Sequence, residues 1–229
     1  ITLGTIVERP EESHRFGVPE IDADGRVVGF EEKPAVARRR SPYNPDMISA
    51  SMGIYLFNTQ TLIQLLRRDA EDTDSTHDFG HDIVPRAIEQ HRVIAYDFID
   101  ENKKELYWRD VGTLDAYYDA NLDLVSVNPV FNLYDDHWPI RTYQRQFPPA
   151  KFVFAEEGRR MGVAVDSIVA PGCIISGGRV KNSVLAHAVR VNSYSEVDSS
   201  ILFSNVQVGR YCRIRRAIID RGVSVPEHA

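Results

Sequence analysis

Cysteine is nearly missing: 229 residues hold two, Cys173 and Cys212, 39 positions apart and without CxxC spacing. That usage argues against a disulfide scaffold or a cysteine zinc site and fits a reducing cytoplasm. No apolar run approaches the roughly 18 residues that span a bilayer. Positive charge is in deficit, 27 Lys and Arg against 33 Asp and Glu, a net −6. Such a chain is a poor general binder of nucleic acid or anionic membrane. No initiator Met and no signal-peptide architecture precede Ile1-Thr2-Leu3-Gly4-Thr5-Ile6-Val7, which reads as the middle of a strand, so a fragment is expected. Neither a Ser-His-Asp nor a Cys-His nucleophile arrangement is recognisable.

What is present is an ordinary globular composition, 43% apolar and 26% charged, in a chain long enough for one and a half to two domains. Residues 1 to about 127 alternate strand and helix signals. Asp24-Gly25 is placed like a hairpin turn between Glu20–Ala23 and Val27–Phe30. Ala50 to Phe57 has strand length. Leu62, Ile63, Leu65 and Leu66 form a helical face, as do Ile83, Val84, Ala87 and Ile88, and then Leu114, Tyr117, Tyr118, Leu122 and Val125. Thr113 suits the N-cap of the last of these. The alternation predicts an α/β sheet. Residues 34–49, with three prolines and Arg38-Arg39-Arg40, read as a long loop.

From about residue 160 the helical period gives way to a repeat of 17 residues: Gly172–Ala188, Val189–Asn205, Val206–Gly222, with Val223 opening a fourth copy. The third position reads Ile174, Val191, Val208, Val225. The ninth reads Val180, Val197, Ile214. The thirteenth and fourteenth read Val184-Leu185, Ile201-Leu202, Ile218-Ile219. Aliphatic columns at this period predict a parallel β-helix whose coils bury equivalent side chains on one another. Adjacent thirteenth and fourteenth positions cannot both point inward, so one is expected at a corner or packed outward. An earlier coil, shifted by one residue, is visible at Asp166-Ser167-Ile168-Val169.

Several short runs could carry chemistry. Lys33, in Glu32-Lys33-Pro34 at a strand end, can pair with phosphate or simply be solvated. Ser51 and Tyr55, around Gly53, share a face of an extended strand. His77-Asp78-Phe79-Gly80-His81-Asp82 precedes a helix; Asp78 can be its N-cap. Its two His and two Asp raise a metal reading, although the spacing matches no defined zinc motif. Tyr107-Trp108-Arg109-Asp110-Val111-Gly112-Thr113 is the densest cluster. There Trp108 can wall a ligand and Asp110 can hold Mg²⁺ or pair with Arg109. Arg210, Arg213, Arg215, Arg216 and Arg221 make the third coil basic, as a phosphate site or a solvated face.

Taken with Arg15-Phe16-Gly17-Val18, Trp138-Pro139-Ile140-Arg141, Pro148-Pro149-Ala150-Lys151-Phe152 and Val191-Asn192-Ser193-Tyr194, these runs resemble, in order and along essentially the whole chain, the bacterial ADP-glucose pyrophosphorylases, or glucose-1-phosphate adenylyltransferases. The resemblance implies residues 1–127 as the C-terminal part of a Rossmann-like nucleotidyltransferase domain, 128–160 as a linker, and 161–229 as a left-handed β-helix, incomplete at its C-terminus. It implies ATP and α-glucose 1-phosphate as substrates, ADP-glucose for glycogen synthesis and pyrophosphate as products, and Mg²⁺ as cofactor. Sugar-phosphate residues would be Glu32, Lys33, Ser51, Tyr55, Asp78, Phe79 and Trp108, with Asp110 on the metal. Small phosphorylated or organic-acid effectors would meet Ser176, Gly177, Arg213, Arg215 and Arg216. A cytoplasmic homotetramer is implied.

The chain departs from the family in lacking the Gly-rich nucleotide loop and a second metal-binding Asp, so the 229 residues alone are expected to be inactive. The Asp97–Leu106 loop is also shorter than in relatives. Two other readings compete. One is a non-catalytic regulatory subunit of the same family. The other is a hexapeptide acyltransferase using His187, which leaves residues 1–127 unexplained.

Overall fold

A computed structural model describes residues 1–99, 106–137 and 139–229. Trp138, and residues 100–105 of the short loop, lie outside the described residues. The chain divides into two compact units, Ile1–Leu106 and Tyr107–Ala229.

In the first unit, β1 (Thr2–Glu8) is the middle strand of three. It pairs antiparallel with β4 (Ile48–Leu56) and parallel with β5 (Ile94–Asp97). The expected hairpin forms from β2 (Gly17–Ile21) and β3 (Val27–Glu32). Its turn is closed by the Asp22 carboxylate, which accepts the Asp24 and Arg26 N–H groups, and Gly25 supplies the positive φ of 76°. Helix α1 (Thr59–Ala70) starts at Asn58, whose side chain accepts the Gln60 N–H. Helix α2 (Val84–Gln90) continues a π-type turn over Phe79–Ile83. Leu3, Val27, Val93 and Ala95 form one buried cluster; Leu65, Ile83 and Ala87 form another.

The second unit opens with α3 (Leu114–Asp123), capped by Thr113 Oγ1 on the Ala116 N–H as expected. Its solenoid is a parallel β-helix of three faces. Val180, Val197 and Ile214 stack on one face, Leu185, Leu202 and Ile219 on the second, Val191, Val208 and Val225 on the third. The corners recur with the same period in left-handed backbone: Asn182, Ser199, Arg216; Ala188, Asn205, Gly222; and Gly177, Tyr194, Tyr211, His228. Tyr194, Tyr211 and His228 stack as rings 4.9 and 5.1 Å apart.

Three details differ from the sequence reading. The first coil places Ile175, not Ile174, beneath Val191, and Ile175 is fully buried. A single residue separates Ile175 from the corner at Gly177, where two separate Val191 from Tyr194. The solenoid also starts before residue 161, because Lys151–Val153 pairs with Ile174–Ser176. Finally, α3 falls in the second compact unit. Tyr118 donates its hydroxyl to the Ser199 carbonyl at 2.6 Å, and Tyr117 faces Phe203. Between those contacts Ile201 is buried while Leu202 points inward, so the outward residue of the adjacent pair is packed.

Candidate active site

Six of the expected residues gather in the first unit, at the end of β3, along β4 and on the loop before α2. The antiparallel hairpin carries Glu32 to the last position of β3. Lys33 then leaves the strand with φ 45°, its N–H donating to the Phe16 carbonyl. The Lys33 ammonium is largely exposed and lies 3.7 Å from Glu32 Oε1. The Glu32 carboxylate lies against two glycines. A Cβ on Gly80 would collide with Oε2, and one on Gly17 would meet that oxygen at 2.9 Å. Burial raises the Glu32 pKa above the usual carboxylate value and Asp78 adds to the rise, against the pull of Lys33.

Along β4 the pairing with β1 slips between Leu3↔Tyr55 and Thr5↔Ser51, a bulge at Gly53 with φ 69°. In a flat strand Ser51 and Tyr55 would be about 13 Å apart. The bulge brings the two residues closer together on one face, and the Ser51 hydroxyl accepts the Gly53 N–H. Burial pushes the Tyr55 phenol up, so it stays a neutral donor at physiological pH. The Tyr55 ring stacks on Phe79 at 5.6 Å, and Phe57 abuts both. Such an aromatic pair adds roughly 0.5–1.5 kcal/mol beyond its buried area.

The loop before α2 supplies Asp78 and Phe79. The Asp78 carboxylate does cap the turn, Oδ1 accepting the Gly80 and His81 N–H groups at 2.8 and 2.9 Å. The metal reading of this run is replaced by two separate imidazole–carboxylate contacts: His77 with Asp69 at 2.8 Å and His81 with Asp82 at 3.2 Å. Among the described residues no three His, Cys, Asp or Glu side chains converge on a metal position. Together the six side chains present a carboxylate, an ammonium, a phenol and an aromatic wall to one another. That set suits a polyhydroxylated ligand bearing a phosphate: acceptors for hydroxyls, a cation for the phosphate, a ring for the apolar face.

Trp108 and Asp110 lie in the second unit, in the run leading into α3. Arg109 pairs with Asp123 of that helix at 2.6 Å rather than with Asp110. Asp110 Oδ1 accepts the Gly112 N–H. A half-buried carboxylate of this kind fits a hard cation through one oxygen, with phosphates and water completing the shell.

The residues expected to meet effectors also lie in the second unit. Ser176 and Gly177 form a corner whose carbonyl at Ser176 accepts the Ser193 hydroxyl. Arg213 and Arg215 stand two coils further on, in outward columns with Glu196 and Asp198; Arg213 pairs with Glu196 at 3.6 Å. Arg216 occupies a different corner, so these five residues spread over about 10 Å along the solenoid. His187 stacks on Phe147.

Sequence reasoning missed Phe57, Gly17 and Gly80, and missed what Asp69 and Asp82 do. Only Gly80 and Asp82 carried a signal, as neighbours of Asp78.

Residues 1–127 match the nucleotidyl transferase family model, and residues 148–229 match a GlmU-like C-terminal hexapeptide model. The chain belongs to the nucleotidyl transferase family. The glucose-1-phosphate adenylyltransferase of Koribacter versatilis is 65% identical to the chain over 228 residues, covering 99% of the chain and 54% of the relative. Those of Rhodopirellula baltica and an Anaeromyxobacter species are 55% and 51% identical, again over 99% of the chain and over 51% and 57% of the relatives. The chain thus spans about half the length of the curated relatives it matches. The family match reaches 127, past the division at 106 and 107, so it includes α3.

Proposed function

We propose that the protein bearing this chain transfers the adenylyl group of ATP to α-glucose 1-phosphate, giving ADP-glucose and pyrophosphate for glycogen synthesis. The observation that carries the reading is the convergence of Glu32, Lys33, Ser51, Tyr55, Asp78 and Phe79 in one place. The names of the relatives support it. In this reaction a phosphate oxygen of the sugar ester attacks the α-phosphorus of ATP, and the bond to pyrophosphate breaks. The nucleophile is already an oxyanion, so no general base is needed.

Each residue then has a task. Lys33 holds the sugar phosphate, and its pairing with Glu32 keeps the ammonium near the hydroxyls. Glu32 accepts from sugar hydroxyls, as does Asp78 with whatever its capping bonds leave. Tyr55 and Phe79 wall the sugar. Asp110 would hold Mg²⁺, which when bound supplies charge neutralisation on the phosphates. Regulation by small phosphorylated or organic-acid effectors, and assembly as a homotetramer, belong to the same proposal. An open pocket of about 640 Å³ at Gly177, lined by Arg159, Arg160, Arg179 and Tyr194, supports the first.

The test is Mg²⁺-dependent pyrophosphate release from ATP and glucose 1-phosphate by the full-length protein that bears this chain, since the 229 residues alone are expected to be inactive. Lys33→Ala should raise KM for the sugar phosphate at least tenfold, since a charge-assisted contact contributes about 1.5–3 kcal/mol. Asp110→Asn should lower kcat more than it changes KM for ATP. No pyrophosphate release, or an unchanged sugar-phosphate KM in Lys33→Ala, refutes the assignment.

A further inference from the structure

The loop that carries Asp78 and Phe79 is held from beneath by two buried carboxylates. Asp82 Oδ2 accepts the Thr76 hydroxyl at 2.5 Å, the Thr76 N–H at 3.1 Å and the Asp78 N–H at 3.3 Å. Its other oxygen meets His81 Nδ1. Asp69, at the end of α1, accepts the Ser75 hydroxyl at 2.6 Å and pairs with His77. Both carboxyls are about 6% exposed. Between them His77 takes a left-handed φ of 62°, a conformation a side chain bearing a Cβ adopts only when its surroundings impose it. That reversal is what lets Asp78 cap the next turn, puts Phe79 on Tyr55 and sets Gly80 against Glu32.

We propose that Asp82 is a positioning residue of the sugar-phosphate site: its carboxylate, by gathering three donors of Thr76 and Asp78 on one oxygen, fixes where Asp78, Phe79 and Gly80 stand. The inference rests on the functional reading above and extends it to a residue that touches no substrate. The chemistry requires a carboxylate. An amide oxygen carries no charge, and an amide nitrogen is a donor only, so an isosteric Asn keeps the volume and weakens the anchor. The loop relaxes, and the cost falls on sugar-phosphate binding rather than on ATP.

Two readouts in the full-length protein that bears this chain decide it. Amide hydrogen exchange reads the loop without any substrate: Asp82→Asn should speed exchange at Gly80 and His81 at least tenfold and leave the β1 amides unchanged. Steady-state kinetics read the consequence: KM for glucose 1-phosphate should rise at least tenfold, with kcat and KM for ATP within about twofold. Thr76→Val, which removes one donor at constant shape, should raise the same KM about fivefold, and Thr76→Ser should behave as wild type. The Thr76 pair carries the test if Asp82→Asn fails to fold.

Unchanged exchange at Gly80 and His81 overturns the anchoring role. So does a loosened loop with an unchanged sugar-phosphate KM, or a fall in all kinetic constants together. A wild-type protein that does not bind glucose 1-phosphate overturns the functional reading and the substrate half of this inference, while the exchange data still decide whether Asp82 sets the loop.

Discussion

Glu32 is where stability and function pull apart. Its carboxylate is drawn out of water between Gly17 and Gly80, near Asp78, with Lys33 as partial compensation. A carboxyl whose folded pKa lies above its unfolded value favours the fold most when protonated. That contribution is complete below the unfolded pKa and is lost as pH rises through the folded one. At neutral pH the ionised group is therefore a net cost that binding retains. Glu32→Gln should raise or leave unchanged the Tm at pH 7, the advantage over wild type shrinking toward pH 4.5 as the native carboxyl protonates. The same change should raise KM for glucose 1-phosphate about tenfold, through loss of a charged acceptor. Thermal melts at the two pH values check the sign; a variant that loses more Tm at pH 7 than at pH 4.5 contradicts it. The residues of this site were legible as short runs: Glu32-Lys33, Ser51 with Tyr55, Asp78-Phe79. What the sequence did not disclose was which neighbours support them. A carboxylate at Asp82 looks the same whether it meets a metal, water or a folded-back loop, and only the left-handed turn at His77 separates those cases.

At the scale of elements, the solenoid was the most readable part of the chain, because stacked coils bury equivalent positions and write their period directly into the sequence. The column Val180, Val197, Ile214 needed no correction. The first coil did, since Ile174 and Ile175 are both aliphatic and hydrophobicity alone cannot tell which points inward. The shorter turn at Ser176-Gly177 settles it by moving the strand one residue, and the side chain that faces the core changes with it. Ile175→Ala should therefore cost about 2–5 kcal/mol, the range for a fully buried aliphatic side chain. Ile174→Ala, half-buried on the outer surface, should cost less than half as much. Guanidinium denaturation of the two variants checks the register; equal losses would mean that the column runs through Ile174 after all.

For the molecule as a whole, periodicity identifies helices but not the surface each one packs on. The face of α3 was legible, and yet the helix belongs with the solenoid unit, anchored by the Tyr118 hydroxyl on Ser199 and by Tyr117 against Phe203. Tyrosines at those positions serve equally well on a sheet or a β-helix, and the family match ends at 127, where the sequence reading put the boundary. Two units with separate buried clusters need not unfold as one. Calorimetry of the chain should show two transitions. Ile175→Ala, in the aliphatic column, should lower one of them and leave the other in place. Tyr118→Phe deletes a single hydrogen bond to a backbone carbonyl, a loss of about 0.5–1.5 kcal/mol. If α3 is part of the solenoid unit, that loss appears in the transition that Ile175→Ala moves. If it appears instead in the transition that follows loss of amide protection at Gly80 and His81, the helix belongs energetically to the first unit, and the boundary returns to the neighbourhood of residue 127.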